Sequence, residues 1–418
     1  MRKIILFIYL LNTSLLWAEE GIKLTLEEAI NIALRDNREI LLKKEDFKKA
    51  KEKLKEAEAG ILPILSLGSS WSDTRDYYSK DVTNFINQFS VKQPLYKGGK
   101  ISGEIEENKY KIEASQTTLN MSILEIVFNV KRAFLTLMLA KEYAQLNELI
   151  LRNTKNHLKA ITERYDKGEV SESELIKLQE ALTNIEHIFN ISINQIENAK
   201  ANLKNILYLA NDVEIEPQGE FLYEPIEVAF DEVYLKALSK RPELRLYEEK
   251  INRIKREIAK AELLPNVYAS WDYYLNRSDS PLAVSQDWES HQIVGVVITW
   301  PIFDGFATQA KIRQAELDLK ENQLRKEKTT ADITLELKNA CLELNDAISK
   351  LKAKDAEMKF YEDNLRVIRD KYRVGIASDL DLEDAELRFE IANFNRKEGV
   401  YDYLIAKAKL EKAMGEVK

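Results

Sequence analysis

The sequence predicts a mixed, mostly α fold in which two internal repeats each carry a pair of β-strands and a pair of long helices. Three observations predict it. Glycine and proline are scarce, 13 and 8 in 418 residues, which favours long helices over frequent turns. Motifs recur at one spacing: Arg164–Leu175 reads RYDKGEVSESEL, and 207 residues later Lys371–Leu382 reads KYRVGIASDLDL, the mark of a duplicated unit. Apolar residues follow two periods, seven in long proline-free segments and two in short ones.

The chain opens with MRKIILFIYLLNTSLLWAEE. A basic start, a short apolar run from Ile4 to Leu11 and the small Ala18 predict a secretory signal over 1–18. A transmembrane anchor needs about 20 apolar residues, and Asn12, Thr13 and Ser14 interrupt this run. The first repeat, 19–210, is expected to run helix, strands at about 64–76 and 84–95, long helix, return helix. Pro63 ends the opening helix. ILSLGSSW then alternates, with Leu65, Leu67, Ser69 and Trp71 on one side, and Phe85, Phe89 and Val91 do the same after the polar stretch SDTRDYYSKDVTN, read as a loop. Residues 211–228, with Pro217, Gly219 and Pro225, form an ordered linker. The second repeat, 229–418, repeats the order with strands at about 266–277 and 289–302. Val267, Ala269, Trp271 and Tyr273 share one side of the first, and Val294, Val296 and Ile298 one side of the second.

After each strand pair comes a glycine turn, Gly98-Gly99 or Asp304-Gly305, and then about 65 residues without proline. A helix of that length reaches on the order of 100 Å at about 1.5 Å per residue. Its apolar residues recur every seven, at Ile105, Ile112, Leu119 and Ile126, and at Leu337, Leu344, Leu351, Met358 and Leu365. The return helix does the same at Leu175, Leu182, Phe189, Ile196 and Leu203. That period predicts coiled-coil packing against neighbouring helices.

Composition excludes some functions. A formal charge of −8 argues against nucleic acid as a partner. The single cysteine, Cys341, permits no internal disulfide and is expected in a helical core. His157, His187 and His291 match no metal spacing. YKGGK at 96–100 is not a phosphate loop, and no nucleophile or zinc-hydrolase motif occurs. Neither an enzyme nor a cofactor is expected.

The amphipathic strands point to a membrane. A β-structure crosses lipid only as a closed barrel, four strands per chain are too few, and eight is the usual minimum. The chain must therefore oligomerise. Two copies give eight strands around a filled interior, and three give twelve around a lumen. Trp71, Tyr77, Tyr78, Trp271, Tyr273, Tyr274, Trp288 and Trp300 near the strand ends suit a membrane interface. The alternative is a secreted, soluble coiled-coil structural protein capped by hairpins.

The repeat, the Leu-Pro strand entries at 62–63 and 264–265, QPLYKGGK, WPIFDGF, RPEL at 241–244 and YRVGIASDLDLEDAEL together resemble the outer membrane efflux protein (TolC) family across nearly the whole mature chain. The resemblance implies a homotrimer. Twelve strands would form a β-barrel in outer membrane lipid, and a helical coiled-coil barrel would continue it through the periplasm. A periplasmic adaptor and an inner-membrane pump would dock at the far end. It implies a passive exit duct for small molecules or ions, or, with another pump, the outer membrane component of type I protein secretion.

The duplicated turn is the candidate site. Gly168 and Gly375 suit the left-handed backbone that ends a helix. Ser171 and Ser378 are placed to cap the next helix, with Glu174 and Asp381 three residues on as capping-box partners. Asp384 lies on the same face as Asp381, and capping does not explain it. The resemblance implies that Asp381 and Asp384, tripled by symmetry, ring the periplasmic mouth, where carboxylates concentrate cations. It also implies a tyrosine–arginine latch to the first turn. Tyr372 matches the tyrosine, and Ser173 and Glu174 match its partners, but Ala377 stands where the arginine belongs. Arg373 and Arg164 are the candidates to replace it. Gly168, Val170 and Ser171, with Gly375, Ile376 and Ala377, are the expected adaptor-docking turns.

Overall fold

A computed structural model describes residues 22–416 apart from 78–79, 227–228, 245–246 and 280–286. The expected signal at 1–18 and Tyr78 lie outside the described residues. The helices and strands group into two compact units, each assembled from both repeats.

One unit comprises residues up to 42, 120–242 and 331 onward. It holds β1 (Ile22–Leu24), α1 (Leu26–Asp36), most of α3 (Lys100–Asp166), α4 (Glu172–Leu207), β4 (Ile215–Pro217), α5 (Phe230–Lys240), most of α7 (Ala307–Arg373) and α8 (Asp379–Ala413). The seven-residue stripes face inward. Ile126, Leu203, Leu337, Leu344, Leu351 and Leu365 are buried, and Tyr403 of α8 is fully so. Cys341 is buried on the same helix as the last four leucines, and burial pushes its thiol pKa up. Gly399 lets α8 approach α7 closely, since a Cβ there would meet Leu351 Cδ1 at 3.2 Å.

Two features of this unit depart from the sequence reading. The opening helix of each repeat is broken in two. Asn37 separates α1 from α2 (Arg38–Ala59), its carboxamide donating to Ile206 O at 3.0 Å and accepting from Glu39 N at 2.9 Å. In the second repeat Arg241 ends α5 before the short 3-10 turn Pro242–Leu244. The linker is also more than a connection. Its β4 pairs in parallel with β1, Ile22 opposite Ile215. Three residues of β1 carry no periodic signal and gain meaning only from a partner far along the chain. Further on, the strap has no regular structure but is fastened to the helices. Tyr223 Oη donates to Asp355 at 2.9 Å, Arg396 holds the other oxygen of that carboxylate at 2.7 Å, and Tyr403 Oη donates to Glu224 O at 2.6 Å.

The other unit comprises residues 43–119 and 243–330. It contains most of α2, the start of α3, α6 (Tyr247–Ala261), the start of α7 and one four-stranded antiparallel sheet. The strands are β2 (Ile64–Tyr77), β3 (Lys80–Lys97), β5 (Asn266–Asp279) and β6 (Glu289–Thr299), in the order β2-β3-β5-β6. The polar stretch read as a loop is mostly strand: β2 and β3 extend through it and still pair at Tyr77 and Lys80. The register brings the alternating apolar positions onto one face. Leu65 lies opposite Val91, Leu67 opposite Phe89, Val91 opposite Trp271, and Trp271 opposite Val294. The other face is mainly polar, with Ile86, Ile293 and Val297 interspersed. Asp272 accepts from Ser90 at 2.5 Å and Gln88 at 3.0 Å, and His291 stacks on Tyr274. Pro94, awkward within a central strand, sits where the β3–β5 register shifts, which is where a strand tolerates proline.

Gly98 closes the turn from β3 into α3. It has φ +62, and a Cβ there would lie 2.7 Å from Ala261 O and 2.9 Å from Leu264 Cβ. No helix among the described residues is long and apolar enough to cross a membrane.

Candidate functional site

Both hairpin turns belong to the helical unit. α3 ends at Asp166 and α7 at Arg373. Gly168 (φ +73) and Gly375 (φ +75) take the left-handed conformation just beyond, each with open space around a hypothetical Cβ. The Gly168 N–H donates back to Tyr165 O and the Gly375 N–H to Tyr372 O, so the glycines are required by the backbone path.

The following caps differ between the repeats. Ser378 Oγ accepts from Asp381 N at 3.2 Å, and Asp381 accepts from Ser378 N at 2.9 Å and from Ser378 Oγ at 2.8 Å, a complete capping box. The Ser378 backbone N–H, followed by its hydroxyl, holds the Asp381 carboxyl below its ordinary pKa. Ser171 Oγ accepts from Glu174 N at 3.3 Å, but the reciprocal bond is absent from the first cap. Motif spacing could not distinguish S-x-x-D from S-x-x-E here.

Asp384 accepts from Arg388 Nε at 2.8 Å, one turn along α8, with both side chains more than half exposed. Asp381 and Asp384 line one side of a cavity of about 340 Å³ with Leu380 and Glu383, facing Asn153, Thr154 and His157 of α3. Tyr372 Oη donates to Asp379 at 2.5 Å within its own turn, and this carboxylate raises the phenol's pKa. The expected latch from Tyr372 to Ser173 or Glu174 is not formed within the chain. Neither replacement for the missing arginine spans the turns. Arg164 pairs with Glu169 at 3.4 Å and Arg373 with Asp370 at 3.4 Å, both local. Val374, Ile376 and Leu380 are exposed at the second turn, and Val170 is half-buried at the first.

The signal missed in the sequence is Asp379. It sits between Ser378 and the acids that drew attention, and its role as the Tyr372 acceptor depends on the turn bringing positions 372 and 379 together.

A profile described as outer membrane efflux protein matches residues 29–207 and 233–416, one segment per repeat. The chain belongs to the outer membrane efflux protein family. A curated relative, the alkaline protease secretion protein AprF of Pseudomonas aeruginosa, is 22% identical over 430 residues, covering 95% of this chain and 85% of AprF. Among solved structures, CusC aligns with a TM-score of 0.75 at 16% identity, covering 96% of each chain. The Campylobacter jejuni CmeC outer membrane channel aligns with a TM-score of 0.76 at 18% identity, covering 93% of this chain and 85% of CmeC. These likenesses extend to the fold as a whole. As an outer membrane efflux protein, the chain contributes a strand pair from each repeat to the membrane part and long helices to a periplasmic part.

Proposed function

We propose that three copies of this outer membrane efflux protein form a passive exit duct that carries small molecules or ions from a periplasmic adaptor and inner-membrane pump to the exterior. One observation supports the reading most: a four-stranded sheet, apolar on one face and mainly polar on the other, has edge strands β2 and β6 that pair with no further strand among the described residues. Such a sheet is stable in lipid only when copies complete it into a cylinder. Twelve strands leave room for a lumen lined by polar residues such as Asp272 and Gln88. The chain performs no catalysis, and energy comes from the pump. The turns at Gly168, Val170 and Ser171 and at Gly375, Ile376 and Ala377 dock the adaptor, and Asp381 and Asp384 bias the mouth toward cations. Trimers purified in detergent and added to a planar bilayer should give discrete conductance steps. A protein that is monomeric in detergent and electrically silent would refute the duct.

A second reading, the outer membrane component of type I protein secretion, has one observation in its favour: the full-length similarity to AprF. Deleting the gene in its host separates the two. Raised susceptibility to small toxic compounds with normal secreted protein supports efflux; the converse supports secretion.

A further inference from the structure

We infer that the mainly polar face of the sheet carries a binding station for anionic groups, built from Lys92, Lys97 and Tyr268. The inference rests on the duct proposed above and names a chemical class of cargo for it: compounds that bear carboxylate, phosphate or sulfonate groups.

A one-residue irregularity in β3 brings the two lysines together. In an unbroken strand, positions 92 and 97 are an odd number of residues apart and fall on opposite faces. The pairing with β5 changes this. Lys92 lies opposite Ser270 and Pro94 opposite Tyr268, but Tyr96 then lies opposite Val267 and Lys97 opposite Asn266. Leu95 is the extra residue, and a bulge of this kind re-aims the side chains beyond it. Asn266, Tyr268, Ser270 and Asp272 alternate along one face of β5, so both lysines join Tyr268 on the face that carries Asp272 and Gln88. The bulge therefore does more than accommodate Pro94.

The side chains complete what the register begins. Lys92 Nζ lies 4.6 Å from the centre of the Tyr268 ring and Lys97 Nζ 5.7 Å from it, both inside the cation–π reach of about 6 Å. Tyr268 is half-buried, and neither lysine joins an ion pair among the described residues. The rungs around them hold no other charge. Lys97, Asn266 and Thr299 form one, Pro94, Tyr268 and Val297 the next, and Ile64, Lys92, Ser270 and Gly295 the one after. Asp272 stands one rung further on, diagonal to Lys92, and its Oδ1 accepts from both Ser90 and Gln88. Two like charges gathered on one neutral ring repel each other, and an anion from solution supplies the charge that the wall lacks. In a trimer the pair recurs three times around one bore, at the end of the strands next to the helices, because Lys97 is the last residue of β3 before Gly98 turns into α3. A ring of ammoniums in a narrow passage raises the local concentration of anions. Lys92 and Lys97 belong to the unit with the sheet and Asp381 and Asp384 to the helical unit, so the two sets of charge act on different stretches of the duct.

Pyrenetetrasulfonate, a planar tetra-anion, tests the station on the full-length protein in a planar bilayer. Added to both chambers, it should interrupt the current through single channels. Its apparent Kd should rise about tenfold in the double variant Lys92→Gln with Lys97→Gln, whereas Lys92→Arg with Lys97→Arg keeps charge and ring contact and should retain the interruption. Asp272→Asn removes the carboxylate beside Lys92 and should tighten the interruption several-fold, a change in the direction opposite to that expected of a damaged wall. On the unaltered protein, raising KCl from about 0.1 M to about 1 M should weaken the interruption about tenfold. That measurement decides the matter even where a variant fails to assemble. Light scattering in detergent reports the trimer independently. Channels that conduct without interruption by the probe, or that are interrupted equally in the double glutamine variant or at high salt, overturn the station and leave the duct standing. Monomers that conduct nothing overturn the duct, and the station with it.

Discussion

Asp381 serves two purposes that a single substitution confuses. Its carboxylate completes the cap of α8, and in the proposed duct it also adds charge to the mouth. Asparagine keeps an acceptor for the cap while removing charge, so Asp381→Asn with Asp384→Asn isolates the electrostatic role. The expected outcome in single-channel recordings is a several-fold loss of cation over anion selectivity with the trimer intact. Arg388 offsets part of the charge of Asp384, so Asp381→Asn should account for more of the loss than Asp384→Asn. The cap also has its own pH signature. Because the folded pKa of Asp381 lies below its ordinary 3.8, the stabilisation is present above that value and is lost as pH falls through the folded one. Protection of the Asp379–Leu382 amides, taken relative to their intrinsic exchange rate at each pH, should therefore fall once the pH drops below about 4, while Ser378→Ala should lower it at neutral pH, where losing such a cap costs about 1 kcal/mol. The caps were legible in the sequence because their donors and acceptors are three residues apart. The Tyr372–Asp379 bond was not, since it depends on the path of a left-handed turn. Tyr372→Phe removes that bond alone, and if it holds the turn closed, the open probability in a bilayer should rise.

Glycine turns look alike as sequence but differ in their surroundings. Gly98 and Gly305 both have positive φ, +62 and +67. Only Gly98 has backbone and side-chain atoms where a Cβ would go. Alanine at Gly305 should therefore cost only the left-handed penalty of about 1 kcal/mol. Alanine at Gly98 should cost at least twice that, read as a larger fall in the thermal midpoint. The long helices were the most legible elements, since their seven-residue stripes survive as the buried sides of α3, α4 and α7. The break at Asn37 was hidden within helical periodicity, because it depends on a distant partner, Ile206 O, whereas Pro242 marks the break at Arg241 in the sequence and only the bond from Arg241 Nε to Ala413 O at 2.6 Å needed the fold. The strap was legible as ordered but not as fastened. Tyr403 is fully buried and holds it through Glu224 O, so Tyr403→Phe should destabilise the helical unit by about 1 kcal/mol, with faster exchange confined to the strap.

The sheet makes the chain incomplete by itself. Alternation marks the apolar faces of all four strands, and the register places them together, because period two fixes which side chains share a face. The arithmetic of closure, four strands against a minimum of eight, likewise follows from the amino-acid pattern alone. The mutual order of the helices does not, since heptads state that a helix has partners without saying which. Outside lipid, a lone copy has another fate built into it. β2 and β6 each present a bare row of amide and carbonyl groups beside an oily surface, which is a template for indiscriminate strand addition. Newly exported polypeptide that meets its siblings before it meets a bilayer should therefore form β-rich aggregates, and its yield should depend on escorts that hide those margins until insertion.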